Sequence, residues 1–425
     1  MKIRADSVTI DIAGSKNAAL PLIFATLAVP GRHKFSNFPG GLHDVKATLN
    51  WLAEAGLRSA NAVDIMDLDS TNVSGDSLLL LPFVNVRYSL LLLGVCLGRT
   101  GIASTPIAGG CKFAVDRPFD IHLDLFRQLG AETTVRHNRI MARLGTATSS
   151  ASLRFPSVGA TLNFIMFAAT RVGEFELNGA ACEPEILDVL EFLKKQGVDY
   201  QLDRRFRVLR IHRNEVATKM AIHRVIPDRV EVVAWLVFSC LFRAPLTLTS
   251  VRALDLAALP KGLLSALRVD LSLNRDALTI AGQCYTAPGF LQFALGPFPL
   301  LATDYGPLLI LLGSTSVGSV TVRDTVAPYR YRFLDDLRRH GISAHYGDDS
   351  ATLFPVHAEL VRFSAQSTDL RGAIALLLFG LRFSRNMKFY SLAQVLRGWH
   401  DCESKLSRFG ISFMQEGEYA IVTGL

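Results

Sequence analysis

Residues 109–122 read Gly109-Gly110-Cys111-Lys112-Phe113-Ala114-Val115-Asp116-Arg117-Pro118-Phe119-Asp120-Ile121-His122. Two glycines free the backbone ahead of a cysteine. Lys112 and Arg117 stand close enough to that cysteine in sequence to favour its thiolate. Pro118 cannot extend a strand, and Ile121, Leu123, Leu125, Phe126 and Leu129 follow as an amphipathic run up to Gly130. A sulfur on a flexible, cationic loop that feeds a helix suits an anionic substrate. One cysteine beside charge equally describes an idle surface thiol, and local chemistry leaves both open.

The elements that position such a loop follow from the rest of the chain. A length of 425 residues exceeds one typical core and predicts two or three domains. Hydrophobic residues at 49% and charged residues at 20% describe a folded chain, not a disordered one. The net charge of +7 is mild and scattered. It reads as a bias toward small anionic ligands. The cluster Arg204-Arg205-Phe206-Arg207 with Arg210 reads as a solvated strand and turn, so no nucleic-acid partner is expected. The six cysteines (96, 111, 182, 240, 284, 402) form no Cys-x-x-Cys pair. This usage fits a reducing cytoplasm without structural zinc. The first residues lack the apolar core of a signal peptide. The most apolar region, 290–322, is interrupted by Asp304, prolines and glycines, so packed core is expected there and no membrane span.

A repeat of about seventy residues runs along the chain. An apolar helix ending in glycine and running into an extended segment is expected up to Gly56, Gly130, Gly197, Gly341 and Gly410. A sixth copy, Leu264 to Arg268, has arginine in place of the glycine, and the successive end points lie 74, 67, 71, 73 and 69 residues apart. Glycine suits the left-handed residue that often closes a helix. A second, more apolar helix recurs at 18–27, 86–97, 160–169, 230–242, 305–312 and 370–381. Apolarity on all sides marks helices buried on all sides. Short β-type runs lie between them at 135–143, 206–212, 320–323 and 419–422. Six units of two helices plus strands, three per domain, predict an α/β protein with two pseudo-threefold domains. The cleft between two such domains is the expected ligand site.

Eight segments, in order along nearly the whole chain, resemble the enolpyruvyl transferase family. They are Ala13 to Pro21, the cysteine loop, Ser157 to Thr161, Glu183 to Ile186, Ile226 to Arg229, Thr303-Asp304, Thr368 to Arg371, and Arg397-Gly398. The likeness is greater to members that use UDP-N-acetylglucosamine than to those that act on shikimate phosphate. It implies the family's inside-out α/β barrel pair, here with 17–225 as one domain and 1–16 with 226–425 as the other. It implies a transferase that adds an acceptor hydroxyl and a proton to phosphoenolpyruvate and then eliminates phosphate. Such chemistry needs cations, an acid for carbon and a base for the hydroxyl, and, because phosphoenolpyruvate is itself a substrate, no metal or organic cofactor is expected.

The resemblance assigns roles residue by residue. It makes Cys111 the general acid, able to form a covalent adduct, and Asp304 the base toward the acceptor. Asp304 alternatively caps the helix before Tyr305. Lys16, Arg87, Arg117 and Arg330 would contact phosphoenolpyruvate or its phosphate, and Arg397 its carboxylate. Asn17 would bind acceptor and intermediate. Arg371, two residues after Asp369, is placed on a different helical face and is the weaker candidate. Arg117, Pro118, Phe119, Asp120 and Ile121, with Ser157, Val158 and Gly159, match the segments that bind uridine and phosphate.

The departures from the family cluster on the acceptor side. Phe155 stands where the family has a lysine facing the diphosphate, although Arg154 is adjacent, and Cys182 stands where the family has an arginine. Ala327, Pro328 and Tyr329 replace an aromatic and an acidic residue of the amino-sugar wall, and the cysteine loop carries one extra residue. An intact uridine cradle with an altered sugar wall suggests UMP as acceptor, as in nucleoside-antibiotic biosynthesis, where similar members act. The alternatives are the cell-wall reaction on UDP-N-acetylglucosamine and, remotely, an inactive ligand-binding homologue.

Overall fold

The computed structural model describes residues 8–62, 65–107, 119–213, 222–252, 270–281 and 289–423. The chain divides into two units, each with its own hydrophobic core. The first takes the described residues of 14–110 and 117–226, and the second those of 227–425 together with 8–13.

In the first unit the apolar helices Lys16–Ala28, Leu92–Thr100 and Val158–Ala169 pack against one another. They are buried as their composition requires: every residue of Lys16–Ala28 except Asn17 is buried. Three sheets surround this centre, and the amphipathic helices His43–Ala53, Asp120–Gln128 and Pro184–Lys195 turn only one face to the core. The second unit repeats the plan around Arg229–Phe242, Gly306–Leu309 and Leu370–Phe383, again with three sheets.

Five of the six sheets among the described residues have four strands: an antiparallel set of three with a parallel strand added at one edge. The added strand often comes from far along the chain. Ile222–Arg224 pairs in parallel with Arg32–Ser36, joining the end of the first unit to its beginning. Val8–Asp11 pairs in parallel with Leu246–Thr249, so the N-terminal strand belongs to the second unit.

The glycines that close the amphipathic helices are left-handed, with φ from 76° at Gly341 and Gly410 to 101° at Gly56. The copy at 264–268 lies outside the described residues. Three expectations are corrected. The run 86–97 is not one helix but a 3-10 turn Arg87–Leu91 followed by the helix Leu92–Thr100. The run 135–143 is a hairpin of Ala131–Arg136 and Arg139–Leu144, not one strand. His137 and Asn138 both take positive φ, as a two-residue turn demands. The run 305–312 is not one helix but a 3-10 turn Thr303–Tyr305, the short helix Gly306–Leu309, and a second 3-10 stretch Ile310–Thr315. Pro307 and two glycines, at 306 and 313, weaken continuous α-helix there. Among the described residues no helix is long and apolar enough to cross a membrane.

Candidate active site

Each unit presents a group of the expected residues. In the first, Lys16 opens its helix immediately after Ser15, whose backbone N–H donates to Ile226 O at 2.7 Å. The ammonium is buried and lies 3.0 Å from Asp44 Oδ2, on the first turn of the neighbouring helix. A buried ammonium without a counter-charge would be costly, so Asp44 is the partner that lets Lys16 sit there. Asn17 follows on the same turn, and Tyr88 Oη reaches Asn17 O at 3.5 Å. Arg87 opens the 3-10 turn Arg87–Leu91 beside this pair.

Ser157 caps the helix Val158–Ala169, its Oγ accepting from Ala160 N at 3.3 Å. The His122 ring lies against Gly159. Asn163 Nδ2 donates to His122 Nδ1 at 2.7 Å and to Leu90 O at 3.1 Å, while Asn163 Oδ1 accepts from Gly94 N. The network leaves the proton on Nε2. Burial, then the charge of Arg87, pushes the His122 imidazolium down to about 3. Phe119 and Ile121 are half-buried, and Asp120 is exposed at the helix start. Arg154 bridges Asp120 and Asp124. Cys111, Arg117 and Pro118 lie outside the described residues.

In the second unit Asp304 sits within Thr303–Tyr305, and the cap position is Ala302, so the capping role considered for Asp304 is not the one it has. Its carboxylate faces two buried guanidiniums. Arg330 Nη1 donates to Oδ1 at 2.5 Å, and Arg371 donates to Oδ2 from Nη2 at 3.1 Å and from Nε at 3.4 Å. Burial opposes the charge on both arginines, but carboxylates outweigh it and their pKa values rise: Asp304 and Asp369 beside Arg330, Asp304 and Asp228 beside Arg371.

Arg371 Nη1 also donates to Gly398 O at 3.2 Å. One guanidinium therefore joins Asp304 to the Arg397-Gly398 backbone. Arg397 is half-buried, with Nη1 on Gln394 Oε1 at 2.9 Å. The ranking of Arg371 as the weaker candidate assumed that Asp369 is helical. Asp369 is instead the cap, accepting from Gly372 N at 2.8 Å. Arg371 is thereby free to face Asp304.

The structure brings together Asp304, Arg330, Arg371 and the Arg397 turn in one unit. It brings Lys16, Asn17 and Arg87 near one another in the other, with the Ser157–Gly159 turn against His122. Sequence reasoning named Asp369 only within the Thr368 to Arg371 motif and did not single out Asp44. A buried aspartate is unusual, but nothing in a single sequence marks it as buried. Among the described residues no group of three or more His, Cys, Asp or Glu could hold a metal ion.

The family model for EPSP synthase (3-phosphoshikimate 1-carboxyvinyltransferase) matches residues 3–406. The chain belongs to this family. It is accordingly an enolpyruvyl transferase, built as a mixed α/β fold of two units. A protein of Pseudothermotoga lettingae named UDP-N-acetylglucosamine 1-carboxyvinyltransferase is 31% identical over 404 residues, 94% of each chain. One of the same name from Halothermothrix orenii is 30% identical over 407 residues, 94% of this chain and 95% of that one. The crystal structure of the enolpyruvyl transferase NikO from Streptomyces tendae superposes with a TM-score of 0.80 at 21% identity, covering 96% of this chain and 95% of that one. EPSP synthase from Acinetobacter baumannii gives 0.69 at 16%, over 99% and 97%. At these identities the two structures share the fold.

Proposed function

We propose that this enzyme transfers the enolpyruvyl group of phosphoenolpyruvate to a ribose hydroxyl of UMP and releases phosphate, in nucleoside-antibiotic biosynthesis. The observation that carries the acceptor is the charge beside Ser157. Phe155 replaces the lysine that the resemblance places opposite a diphosphate, and the neighbouring cation, Arg154, is engaged by Asp120 and Asp124. A diphosphate there would lack its cation, whereas a monophosphate needs fewer. The shared fold with the enolpyruvyl transferase NikO fits the transfer step.

In the proposed chemistry Cys111 protonates the methylene carbon of phosphoenolpyruvate. The acceptor oxygen bonds to the adjacent carbon as Asp304 takes its proton. Loss of a methyl proton then expels phosphate and restores the double bond. Lys16, Arg87, Arg117, Arg330 and Arg397 would neutralise the phosphate and carboxylate, Asn17 would hold the acceptor, and Arg371 would orient Asp304. Residues 117–121 and 157–159 would hold the nucleotide.

A second reading, with UDP-N-acetylglucosamine as acceptor, is favoured by the names of relatives that match 94% of the chain. Calorimetric titration with each nucleotide in the presence of phosphoenolpyruvate separates the two. UMP is expected to bind at least about tenfold more tightly, a difference of about 1.4 kcal/mol. Tighter binding of the amino sugar would replace the first reading by the second.

A further inference from the structure

Asp324 ends the strand Val320–Asp324 and is fully buried. Four donors converge on its carboxylate. Val326 N and Ala327 N each reach Oδ1 at 2.9 Å. Tyr331 Oη reaches Oδ2 at 3.2 Å, and Thr303 Oγ1 donates to the same oxygen. A carboxylate accepts from all four, whereas an amide could accept from only one pair and would need the two hydroxyls to accept instead. Burial, then the Asp324 charge, raises the Tyr331 phenol, which keeps its proton and remains a donor.

Two of these donors are the chain neighbours of the charged pair in the site. Thr303 precedes Asp304 and Tyr331 follows Arg330, and Arg330 Nη1 lies 2.5 Å from Asp304 Oδ1. The result is a closed ring: Thr303, Asp304, Arg330, Tyr331, and back through Asp324 to Thr303. The short 3-10 turns that carry Asp304 and Arg330 (Thr303–Tyr305 and Pro328–Phe333) have few backbone hydrogen bonds of their own to set their relative position. The Val326 and Ala327 contacts pin the approach to the second turn. Gly306 admits the arrangement, since a Cβ there would lie 2.1 Å from Tyr331 Oη.

We infer that Asp324 is a positioning residue that sets the register of Asp304 against Arg330 for enolpyruvyl transfer. It acts through Thr303 and Tyr331 and does not touch substrate. The inference rests on the proposed role of Asp304 as base.

The test uses the Thr303 link, because in Asp324→Asn an amide could keep the backbone pair through Oδ1 and meet the two hydroxyls through Nδ2, so that variant need not break the ring. Thr303→Val removes the hydroxyl at nearly constant shape, Thr303→Ser keeps it, and Asp304→Asn is the reference. Phosphate release is followed with UMP and with UDP-N-acetylglucosamine. Thr303→Val is expected to lower kcat by about a hundredfold, the cost of a misplacement near 1 Å, with a smaller change in KM. Thr303→Ser is expected to restore kcat, while a purely structural role would change melting temperature alone. Crystal structures of both variants add an arm independent of acceptor. Asp304 should part from Arg330 in Thr303→Val and keep the contact in Thr303→Ser. An unmoved pair, or equal kcat in the two variants, overturns the inference. If Asp304→Asn stops turnover while Thr303→Val does not change it, the inference alone fails. If Asp304→Asn turns over normally, the role of Asp304 fails and the inference with it.

Discussion

His122 shows how a single side chain can be fixed in one state by its surroundings. Asn163 occupies Nδ1 as a donor, and burial together with Arg87 opposes the imidazolium, which is pushed down to about 3. The folded value lies below the unfolded one. The stability this residue contributes is therefore complete above about pH 6.5 and is lost as pH falls toward 3. The slope is at most about 1.4 kcal/mol per pH unit. Denaturant unfolding of His122→Gln between about pH 4 and pH 7 is expected to be flatter with pH than that of the wild type. Equal slopes would assign the acid sensitivity to other groups. Lys16 and Asp44 depend on each other through geometry. Each is buried against the other, so Asp44→Asn leaves the ammonium unpaired and is expected to cost about 3–5 kcal/mol. Thermal melting and KM for phosphoenolpyruvate check it together, and an unchanged KM would separate Lys16 from that substrate.

At the level of elements, the side chains proposed for function sit at the ends of helices and turns anchored in the cores. Lys16, Ser157 and Arg371 all lie in the first turn or cap of a buried helix. The turn after Leu392–Leu396 is joined to Asp304 through Arg371, which needs close approach at residue 398. A Cβ on Gly398 would lie 2.5 Å from Leu370 Cδ1 and 3.1 Å from Arg371 Nη1. Gly398→Val is therefore expected to push Arg371 off Asp304 at an overpacking cost of about 1–3 kcal/mol. Calorimetric melting reads the cost and phosphate release reads the loss of turnover. Full turnover in a stably folded variant would show that Arg371 does not orient Asp304. A buried anchor supports the same turn. Trp235 and Trp399 stack edge to face at 5.1 Å, and Lys405 meets the buried Glu231.

At the level of the whole molecule, sequence order and unit membership part company. Ile10 is fully buried in the core of the second unit although it precedes the entire first unit, and its strand pairs with Leu246–Thr249. Ile10→Ala is expected to cost about 2–5 kcal/mol. The loss should fall on one unit. Hydrogen exchange should accelerate at 246–249 and stay unchanged at 20–27. Equal acceleration in both would mean that the two cores unfold together.

The sequence by itself determined the repeated plan, the helices that are buried all round, the glycine stops and the ordered motifs of an enolpyruvyl transferase. Each of these is written in local composition, or in spacing that a helix turns directly into a face. Tertiary structure alone decided which carboxylate accompanies which cation. Lys16 and Asp44 are 28 residues apart, and Arg371 and Asp304 are 67 apart. Asp324 holds Thr303 and Tyr331 from a strand end that looks ordinary in sequence. Such pairings depend on how separate helices and sheets converge, and no periodicity along one chain records that convergence.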